Sequence, residues 1–362
     1  MKMKMKIAIV GCGMIADAHV NEIRKITDTE LVAVCDKEPL MASQLADRYD
    51  IPMHFADFDE LLTQCHPDIV HVLTPPATHY ALGISALEAG CHVLMEKPFT
   101  VTGKEAQLLI DKATSLNKKI MVNHFHNFSP PNERLKEMVY KGQLGEVLHM
   151  EGIYSYNLES PIAGALLNNK NSWFHRLPGN LILNNIDHLI GKFIEFIPDE
   201  HPAVFASARQ FSEKVKRVKH SIVHDELRVM ITGEKVSAFA IFTGNINPFQ
   251  HEMKVFGTKG TVSINYESRT LVNNSTSSLP GPFGKLAVPF KTGRRYYMEG
   301  FKNLFNFGKS DFHFYAGANN LFNQFYQCIR NDSDLPIPYS DILKNTWIRE
   351  EIFKQININR MY

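Results

Sequence analysis

The sequence predicts an α/β fold in two domains, a doubly wound parallel sheet followed by an α/β domain with a large, mainly antiparallel open sheet. Up to residue 123, short apolar runs alternate with helical patterns, which is typical of parallel βαβ units. Beyond that point strand-like runs follow one another with turn signals between them, as in antiparallel sheets. At 362 residues the chain is longer than one ordinary domain, so we assign residues 1–123 and 124–362 to two domains.

The first domain is defined by apolar runs that we interpret as strands, at 7–10, 31–36, 68–73, 91–95 and 119–123. A helix is expected over 81–89, because Gly90 follows it as a C-terminal cap. Another helix begins at Thr102, since Thr102 and Glu105 have the spacing of a capping box. Strands and helices in this alternation build right-handed crossovers and a parallel sheet.

The second domain contains longer strand-like runs, at 147–156, 203–209, 226–231, 236–242 and 251–265. The last run includes a hairpin connection at 257–260. A helix is expected over 181–197, and two further helical patterns lie near 317–330 and 341–357. Residues 274–290 are rich in Ser, Pro and Gly, so we interpret them as an exposed connecting loop, with a lid or an oligomer contact as alternatives.

The bulk composition excludes several classes of protein. The formal net charge is only +1, so the overall balance recruits neither nucleic acid nor an anionic membrane. The start MKMKMK lacks the apolar segment of a signal peptide, and no run approaches the ~20 apolar residues of a membrane span. Five scattered cysteines indicate reduced thiols in a cytosol, namely Cys12, Cys35, Cys65, Cys91 and Cys328. We therefore expect a cytoplasmic protein with no nucleic-acid or membrane partner.

The segment GCGMIA follows the first predicted strand and begins a helix. Gly11 permits a tight turn, and Gly13 lets backbone N–H groups approach a pyrophosphate at the partly positive helix N-terminus. This place after a strand is the one that a dinucleotide site requires. We expect the cofactor to contact the residues of this turn, which are Gly11, Cys12, Gly13, Met14 and Ile15.

An acidic residue, Asp36, closes the second predicted strand. Its carboxylate is expected to accept hydrogen bonds from a ribose 2′-hydroxyl and to repel a 2′-phosphate, which favours NAD over NADP. Lys37 follows immediately and would soften that preference, so NADP stays open.

The strand at 91–95 ends in Glu96-Lys97-Pro98. Ligands of open α/β sheets lie outside the carboxyl ends of the strands, so Lys97 would lie beside the nicotinamide end of a dinucleotide. Pro98 disfavours the α region for Lys97 and helps to hold an extended exit. Position alone leaves open the alternative of a solvated lysine at a strand end.

Three segments together resemble the Gfo/Idh/MocA family of NAD(P)-dependent oxidoreductases, which includes glucose–fructose oxidoreductase and inositol dehydrogenase. They are GCGMIADAH, LTPPATHYALGISALEAGCHVLMEKPFTVTGKEA and FGTKGTVSI, and the resemblance covers nearly the whole chain. It implies a Rossmann domain followed by an α/β domain whose sheet makes homodimers or homotetramers. It also implies that Lys97 is catalytic or orients the substrate, and that the cofactor is lined by Thr74, Pro75, His79, Glu96 and Asn123.

The family's second signature, Asp-x-Gly-x-His at the start of a helix, corresponds to Asn184-x-Ile186-x-His188 in this chain. A spacing of four residues puts Asn184 and His188 on one helix face. An amide orients hydroxyls but does not titrate, which makes His188 the candidate general base, because imidazole titrates near pH ~6.5. Asp187 is the rival base, although on a helix it would point roughly 100° away from His188.

The loop before that helix contains Trp173, His175 and Arg176, where the family builds its substrate pocket. An aromatic face suits a sugar ring, and Arg176 would bind a carboxylate or phosphate with two hydrogen bonds. The alternatives, that Trp173 lies in the core and that Arg176 is a solvated surface charge, carry equal weight. His124 and His126 alternate, but no Cys or Asp cluster lies nearby, so we expect no metal site.

We therefore predict an oxidoreductase acting on CH–OH groups, which moves a hydride between nicotinamide and a ring carbon of a sugar, sugar acid or nucleotide-linked sugar. Lys97 and His188 would handle the hydroxyl proton, and Asn184 would hold an adjacent hydroxyl. Two alternatives stay open. One is a catalytically silent nucleotide-binding sensor or regulatory protein, which Asn184 and Ile186 favour. The other is a redox-neutral sugar-modifying enzyme with tightly held NAD.

Overall fold

The computed structural model describes residues 4–158, 164, 167–177, 179–218, 222–274, 281–308, 313 and 315–356. The chain divides into two compact units. Unit 1 comprises Met1–Phe125 and Gly317–Trp347, and unit 2 comprises His126–Ala316 and Ile348–Tyr362. Each unit is built around one sheet.

Unit 1 contains the strands β1 (Met5–Val10), β2 (Thr29–Cys35), β3 (Met53–Phe55), β4 (Ile69–Val72), β5 (His92–Met95) and β6 (Ile120–Val122). They form one parallel sheet in the order β3-β2-β1-β4-β5-β6, which confirms the predicted doubly wound domain. The strand order reverses between β1 and β4. In such sheets the carboxyl ends of the strands at this reversal form the crevice where ligands bind.

The strands of unit 1 are connected by the helices α1 (Ala16–Ile23), α2 (Pro39–Arg48), α3 (Phe58–Cys65), α4 (His79–Glu88) and α5 (Gly103–Ser115). Two predicted helix boundaries are confirmed. Gly90 follows α4 with φ +83°, the left-handed conformation that glycine adopts without strain. At the start of α5, Thr102 and Glu105 form the capping box in both directions.

Unit 2 contains the strands β7 (Val147–Ser155), β8 (Ala203–Arg209), β9 (Glu226–Thr232), β10 (Ser237–Thr243), β11 (His251–Gly257), β12 (Thr261–Asn265) and β13 (Thr270–Asn273). They lie in the order β13-β12-β11-β7-β10-β9-β8. Only the pair β7–β10 is parallel, so the prediction of a mainly antiparallel sheet is confirmed. The antiparallel pairing of β11 with β12 also confirms the predicted hairpin.

The described helices of unit 2 are α6 (Pro130–Tyr140), α7 (Leu181–Ile194), α8 (Glu213–Lys216) and α9 (Gly281–Gly308). Helix α7 packs on one face of the sheet at Gly152 in β7. A Cβ on Gly152 would lie 2.7 Å from Phe193 and 2.9 Å from Leu189, so only glycine allows this close approach. The contact holds α7, which includes His188, against the sheet.

The interpretation of residues 274–290 as a loop is wrong for residues 281–290, which form the first turns of α9. Residues 275–280 lie outside the described part of the chain. Gly and Pro disfavour helix interiors, which explains the error. Pro282 lies at the second helical position, where a missing N–H removes no intrahelical hydrogen bond. Pro289 lies inside the helix and removes one intrahelical hydrogen bond, while packing against β13 at Glu299 stabilises the later turns.

The C-terminal region contains α10 (Ala316–Asn331) and α11 (Tyr339–Gln355), close to the two predicted helical patterns. Residues Gly317–Trp347 belong to unit 1. There α10 buries Leu321, Phe322 and Phe325 in the core. Among the described helices, none is both long and apolar enough to cross a bilayer.

Candidate functional site

The turn after β1 has the shape that the glycine motif predicts. Gly11 has φ +98°, and a Cβ there would lie 2.7 Å from Leu73 and 2.8 Å from Thr74, so only glycine fits. A Cβ on Gly13 would meet no atom within 4 Å, and Gly13 and Met14 are both exposed. The space in front of α1 is therefore open to a pyrophosphate.

Asp36 follows β2 with a half-buried side chain. Its Oδ2 accepts a hydrogen bond from the Cys12 N–H at 2.8 Å, and its Oδ1 accepts one from the Glu38 N–H at 2.9 Å. These bonds fix the carboxylate beside the glycine turn, and each oxygen keeps a lone pair for a ribose hydroxyl. Lys37 is exposed. The arrangement fits NAD, because the Asp36 charge opposes a 2′-phosphate.

His79 ties the segment after β4 to the segment after β5. Its ring is fully buried, with Nδ1 3.0 Å from the Pro98 carbonyl and Nε2 2.8 Å from the Thr74 carbonyl. Burial lowers the pKa of His79, although the hydrogen-bonded carbonyls oppose that shift. Both ring nitrogens face backbone carbonyls. The contact with the Thr74 carbonyl fixes the backbone at Thr74 and Pro75 from the buried side of the segment. The Thr74 hydroxyl accepts a hydrogen bond from Thr78 at 2.7 Å.

Glu96, directly after β5, lies in a buried polar network. Its Oε1 lies 3.1 Å from His19 Nε2 and accepts a hydrogen bond from the Asn123 amide. Its Oε2 accepts a hydrogen bond from the Lys97 backbone N–H at 3.1 Å. Burial alone would raise the pKa of Glu96, but the bonds from His19 and Asn123 and the charge on Lys97 outweigh it and lower that pKa. The carboxylate is therefore ionised at neutral pH.

The network continues past His19 to helix α10. His19 Nδ1 lies 2.8 Å from His71 Nδ1, and His71 Nε2 lies 2.8 Å from the Tyr326 hydroxyl. An ionised Glu96 only accepts hydrogen bonds, so His19 donates to it through Nε2–H. His71 then donates to His19, and Tyr326 donates to His71. Burial lowers the pKa of His71 well below its usual value and raises that of Tyr326 well above it, so both stay neutral.

His19, His71 and Tyr326 are missed by the sequence analysis. A single histidine inside the apolar run 68–73 is the one signal that a buried polar contact lies there. Its partner Tyr326 lies 255 positions further along the chain, and no local pattern pairs the two. All three connect to the candidate site through hydrogen bonds that end at Glu96.

Unit 1 brings most of the expected cofactor residues to the carboxyl edge of its sheet. Each follows a strand directly: Gly11 after β1, Asp36 after β2, Glu96 after β5 and Asn123 after β6. Lys97 comes one residue after Glu96, and its side chain is half-buried rather than fully solvated.

In unit 2, His188 lies on α7 with its side chain half-buried. Its ring stacks on Tyr154, with 5.0 Å between ring centroids, and meets His126 edge-on, also at 5.0 Å. These aromatic contacts hold the imidazole in one orientation. Burial raises the pKa of Tyr154 well above its usual value, so the neighbouring phenol stays neutral.

The rival base Asp187 points away from His188, as helical geometry predicts. Its side chain is buried, and Oδ1 lies 3.8 Å from Nε of the equally buried Arg349. The Asp187 carboxylate supplies the counter-charge of the buried Arg349, and its removal would leave that cation buried and uncompensated. This burial and pairing favour a structural role for Asp187, and His188 stays the candidate base.

Lys192 is a fully buried lysine one turn after His188, and the sequence analysis missed it. Its Nζ donates to the His188 carbonyl, lies 3.0 Å from His251 Nε2 and sits 4.7 Å from the centre of the Tyr266 ring. Burial lowers the pKa of Lys192 to about 7, although Asp187 opposes that shift. Lysine usually lies on a solvated helix face, so the residue gives no sequence signal of burial.

The other expected substrate residues lie on or before α7. Asn184 occupies a position in α7, and its side chain lies outside the described part of the structure. Trp173 is 40% exposed, so it is not a core residue. His175 is half-buried and Arg176 is exposed, both in the short 3₁₀-helix Trp173–Arg176. Within the described residues, no group of three His, Cys, Asp or Glu side chains is arranged to hold a metal ion.

A parallel sheet with this strand order, a glycine turn and an acid closing the second strand defines a dinucleotide-binding Rossmann protein. Residues 5–124 match the oxidoreductase family with an NAD-binding Rossmann fold, and residues 132–263 match the GFO/IDH/MocA C-terminal domain. The chain therefore belongs to the Gfo/Idh/MocA family of oxidoreductases, as the sequence motifs imply.

Curated relatives match over part of their length. The D-glucoside 3-dehydrogenase of Escherichia coli is 38% identical over 144 residues, which cover 40% of this chain and 41% of that protein. A glycosyl hydrolase family 109 protein of Porphyromonas gingivalis is 30% identical over 169 residues, which cover 43% of this chain and 35% of that protein. In both cases the chain spans less than half the length of the relative.

Solved structures match over nearly the whole chain. The WlbA dehydrogenase from Bordetella pertussis, in complex with NADH and UDP-GlcNAcA, superposes with a TM-score of 0.78 over 98% of this chain and 96% of that chain. An oxidoreductase from Agrobacterium radiobacter, in complex with NAD+, L-tartaric acid and magnesium, superposes with a TM-score of 0.77 over 99% of this chain and 97% of that chain. The superpositions show a shared fold. The sequence identities are 16% and 14%, so the likeness is one of fold alone.

Proposed function

We propose that this protein is an NAD(P)-dependent oxidoreductase that transfers a hydride between nicotinamide and a ring carbon of a carbohydrate. The observation that carries the proposal is the ionised, fully hydrogen-bonded Glu96 beside Lys97 at the carboxyl end of β5. A buried carboxylate supported by two further histidines and a tyrosine is a costly arrangement for a merely structural strand end. It suits a site that holds a lysine in a fixed position.

Residues 1–123 would hold the cofactor and residues 124–362 the substrate. When bound, NAD supplies a nicotinamide ring that accepts or returns a hydride. Lys97 donates hydrogen bonds to the substrate hydroxyl, and its positive charge stabilises the oxygen as that hydroxyl loses its proton. His188 is the general base that takes the proton, a role that typically contributes ~10²–10⁴-fold to the rate. Asn184 holds an adjacent hydroxyl.

The substrate class follows from the residues before α7. The exposed Trp173 offers an aromatic face to a sugar ring, and Arg176 can bind a carboxylate or phosphate with two hydrogen bonds. The relative named D-glucoside 3-dehydrogenase makes glucosides the first substrates to test, and the WlbA complex adds nucleotide-linked sugar acids.

We also propose that the protein forms homodimers or homotetramers through the sheet of unit 2. On the face opposite α7, Phe205, Met230 and Phe239 lie side by side on paired strands, and all three are exposed. A contiguous apolar row on an open sheet is typical of a protein–protein interface. A cytoplasmic location is consistent with the five cysteines, which are all buried and unpaired.

Calorimetric or fluorescence-monitored melting with NAD and NADP tests the cofactor proposal. A ligand that binds only the folded protein raises its stability by RT ln(1 + [L]/Kd), about 2.7 kcal/mol at a hundredfold excess over Kd. We expect NAD to raise the melting temperature more than NADP. Absorbance of NADH during incubation with methyl glucosides, inositols and nucleotide sugars then tests turnover. Absence of both a melting shift and NADH formation across the panel would refute the proposal.

A redox-neutral reaction with tightly held NAD is the second candidate. The observation that favours it is the Porphyromonas relative named as a glycosyl hydrolase, since hydrolysis produces no net NADH. Chromatography of the incubated sugars distinguishes the two. A changed sugar without NADH formation, and with cofactor that stays bound through purification, would favour the second candidate.

A further inference from the structure

Helix α9 carries an apolar stripe on the side that faces away from the rest of unit 2. Phe283, Phe290, Tyr297 and Leu304 follow one another every seven residues, which places them on one side of an α-helix. Leu286 joins the same stripe one turn from Phe283. All five side chains are at least 66% exposed. The stripe is therefore long, continuous and open to solvent.

The side of α9 that faces the rest of unit 2 is polar instead. Glu299 is buried, and its carboxylate accepts hydrogen bonds from Arg134 at 2.6 and 3.0 Å and from the Leu271 backbone N–H at 3.2 Å. Lys302 also donates to Glu299 at 2.8 Å. A helix on a water-exposed surface normally has the reverse polarity. An inverted helix of this length indicates that its outer face is covered by something apolar.

The flank of the stripe is strongly basic. Helix α9 contains five cations and one carboxylate, Glu299, which gives a net charge of +4. Lys285, Lys291 and Arg294 form no ion pair with any residue that the structure describes. A cavity of about 460 Å³ lies beside the stripe. Its charged lining consists of the cations Arg134, Lys291, Arg294, Arg295 and Lys302 and of the carboxylate of Glu299, which pairs with Arg134 and Lys302. Such a cavity has the size and charge for a phosphate group.

Charge decides between two apolar partners. A second copy of α9 fits the seven-residue spacing, but it would bring a second +4 helix against the first, and like charges repel. The surface of an anionic bilayer offers acyl chains to the stripe and phosphate groups to the flanking cations. Each Lys or Arg held near such a surface strengthens binding about fivefold. The bilayer is complementary in both respects.

We propose that α9 lies flat on the surface of a membrane that contains anionic phospholipid, with the stripe in the acyl boundary and a lipid phosphate in the cationic cavity. The helix would bind the membrane without crossing it. The proposal departs from the expectation of no membrane partner, which rested on the net charge of +1 averaged over the whole chain. That average conceals a local concentration of positive charge on one helix.

Sedimentation of the full chain with vesicles tests the proposal. We expect binding to vesicles with about 30% phosphatidylglycerol in phosphatidylcholine, loss of binding in high salt, and little binding to phosphatidylcholine alone. The double variant Lys291→Gln/Arg294→Gln should bind about 30-fold more weakly. Phe290→Ser should bind about tenfold more weakly. The matched control Lys104→Gln/Lys235→Gln removes two exposed lysines elsewhere and should bind like the unmodified protein.

Three results would overturn the proposal. The first is no binding to anionic vesicles in low salt. The second is equal binding by the Lys291→Gln/Arg294→Gln variant and its control. The third is an oligomer that sediments without vesicles and dissociates in Phe290→Ser, which would assign the stripe to a second copy.

Inorganic phosphate in vesicle-free titrations separates the sources of the anion, because saturable binding that abolishes vesicle association would assign the cavity to a free phosphate. Melting curves of each variant confirm that it folds.

Discussion

The Tyr326 hydroxyl donates a hydrogen bond to Nε2 of His71 over 2.8 Å, which joins a helix near the end of the chain to a central strand of the parallel sheet. Through His71 and His19 the same line of bonds ends at the carboxylate of Glu96. Removal of the hydroxyl leaves a buried imidazole nitrogen without a donor.

Tyr326→Phe should therefore lower the free energy of unfolding by about 1–3 kcal/mol, the usual result of leaving one buried polar atom unsatisfied. Urea denaturation of the purified protein measures the change. Tyr140→Phe is the matched control, because Tyr140 is almost fully exposed and should leave the stability unchanged. Equal stabilities for both variants would contradict a stabilising hydrogen bond between Tyr326 and His71.

Lys97→Met should reduce kcat by about 10²–10⁴-fold, since it removes the cation and donor that handle the substrate hydroxyl. The backbone N–H that bonds Glu96 stays in place, so the melting shift with NAD should be retained. Lys104→Met is the control, because Lys104 is an exposed lysine on α5 that belongs to neither the cofactor nor the substrate residues. Wild-type turnover by Lys97→Met would show that this lysine has no part in the chemistry.

His188 and Asp187 are neighbours on α7 with different expected roles. His188→Gln should lower kcat by a similar 10²–10⁴-fold and leave the melting temperature nearly unchanged. Asp187→Asn should lower the free energy of unfolding by about 3 kcal/mol, because it leaves Arg349 buried without its counter-charge. Parallel kinetics and denaturation of both variants test this. A large loss of kcat in Asp187→Asn, with near wild-type kcat in His188→Gln, would make Asp187 the base.

The lowered pKa of the buried Lys192 should make the stability of the protein depend on pH. Its pKa of about 7 in the folded protein lies below the usual lysine value of 10.5, so between those values the unfolded chain binds more protons. Stability should then rise with pH, by up to about 1.4 kcal/mol per pH unit. Lys192→Met should lose this rise, whereas the exposed control Lys170→Met should keep it. Denaturation curves between about pH 7 and 9 measure both.

Asp36→Asn should change the choice of cofactor. The amide oxygen can still accept one backbone hydrogen bond, but the charge that opposes a 2′-phosphate is gone. We expect the ratio of Kd for NADP to Kd for NAD to fall about tenfold. Fluorescence titration with both reduced cofactors measures that ratio. Asp59→Asn, an exposed carboxylate on α3, is the control, and an unchanged ratio in Asp36→Asn would remove Asp36 from the cofactor site.

Local patterns predict much of unit 1. The apolar runs become the strands of the parallel sheet, and Thr102 and Glu105 form the capping box, because both features depend on neighbours within a few residues. Gly11 is equally predictable, since a tight turn after a strand excludes a side chain. These features decide where the expected cofactor residues lie.

Long-range contacts account for what the sequence analysis missed. His71 and Tyr326 have no shared pattern, because their contact exists only after α10 joins unit 1. Lys192 resembles any surface lysine until the sheet of unit 2 covers α7. Residues 281–290 combine Gly and Pro in proportions that favour a loop, whereas the contact that anchors α9 to β13 is made further along the helix, by Glu299 at Leu271.

The membership of α10 in unit 1 also affects how the protein is made. A ribosome must translate the strand-rich middle of the chain before Phe322 and Tyr326 emerge to close the core around His71. The complete parallel sheet of unit 1 would already be translated, with His19 and His71 still uncovered, while unit 2 acquires its strands. Nascent chains arrested before residue 316 should therefore be digested by protease far more readily in their first 125 residues than finished chains are.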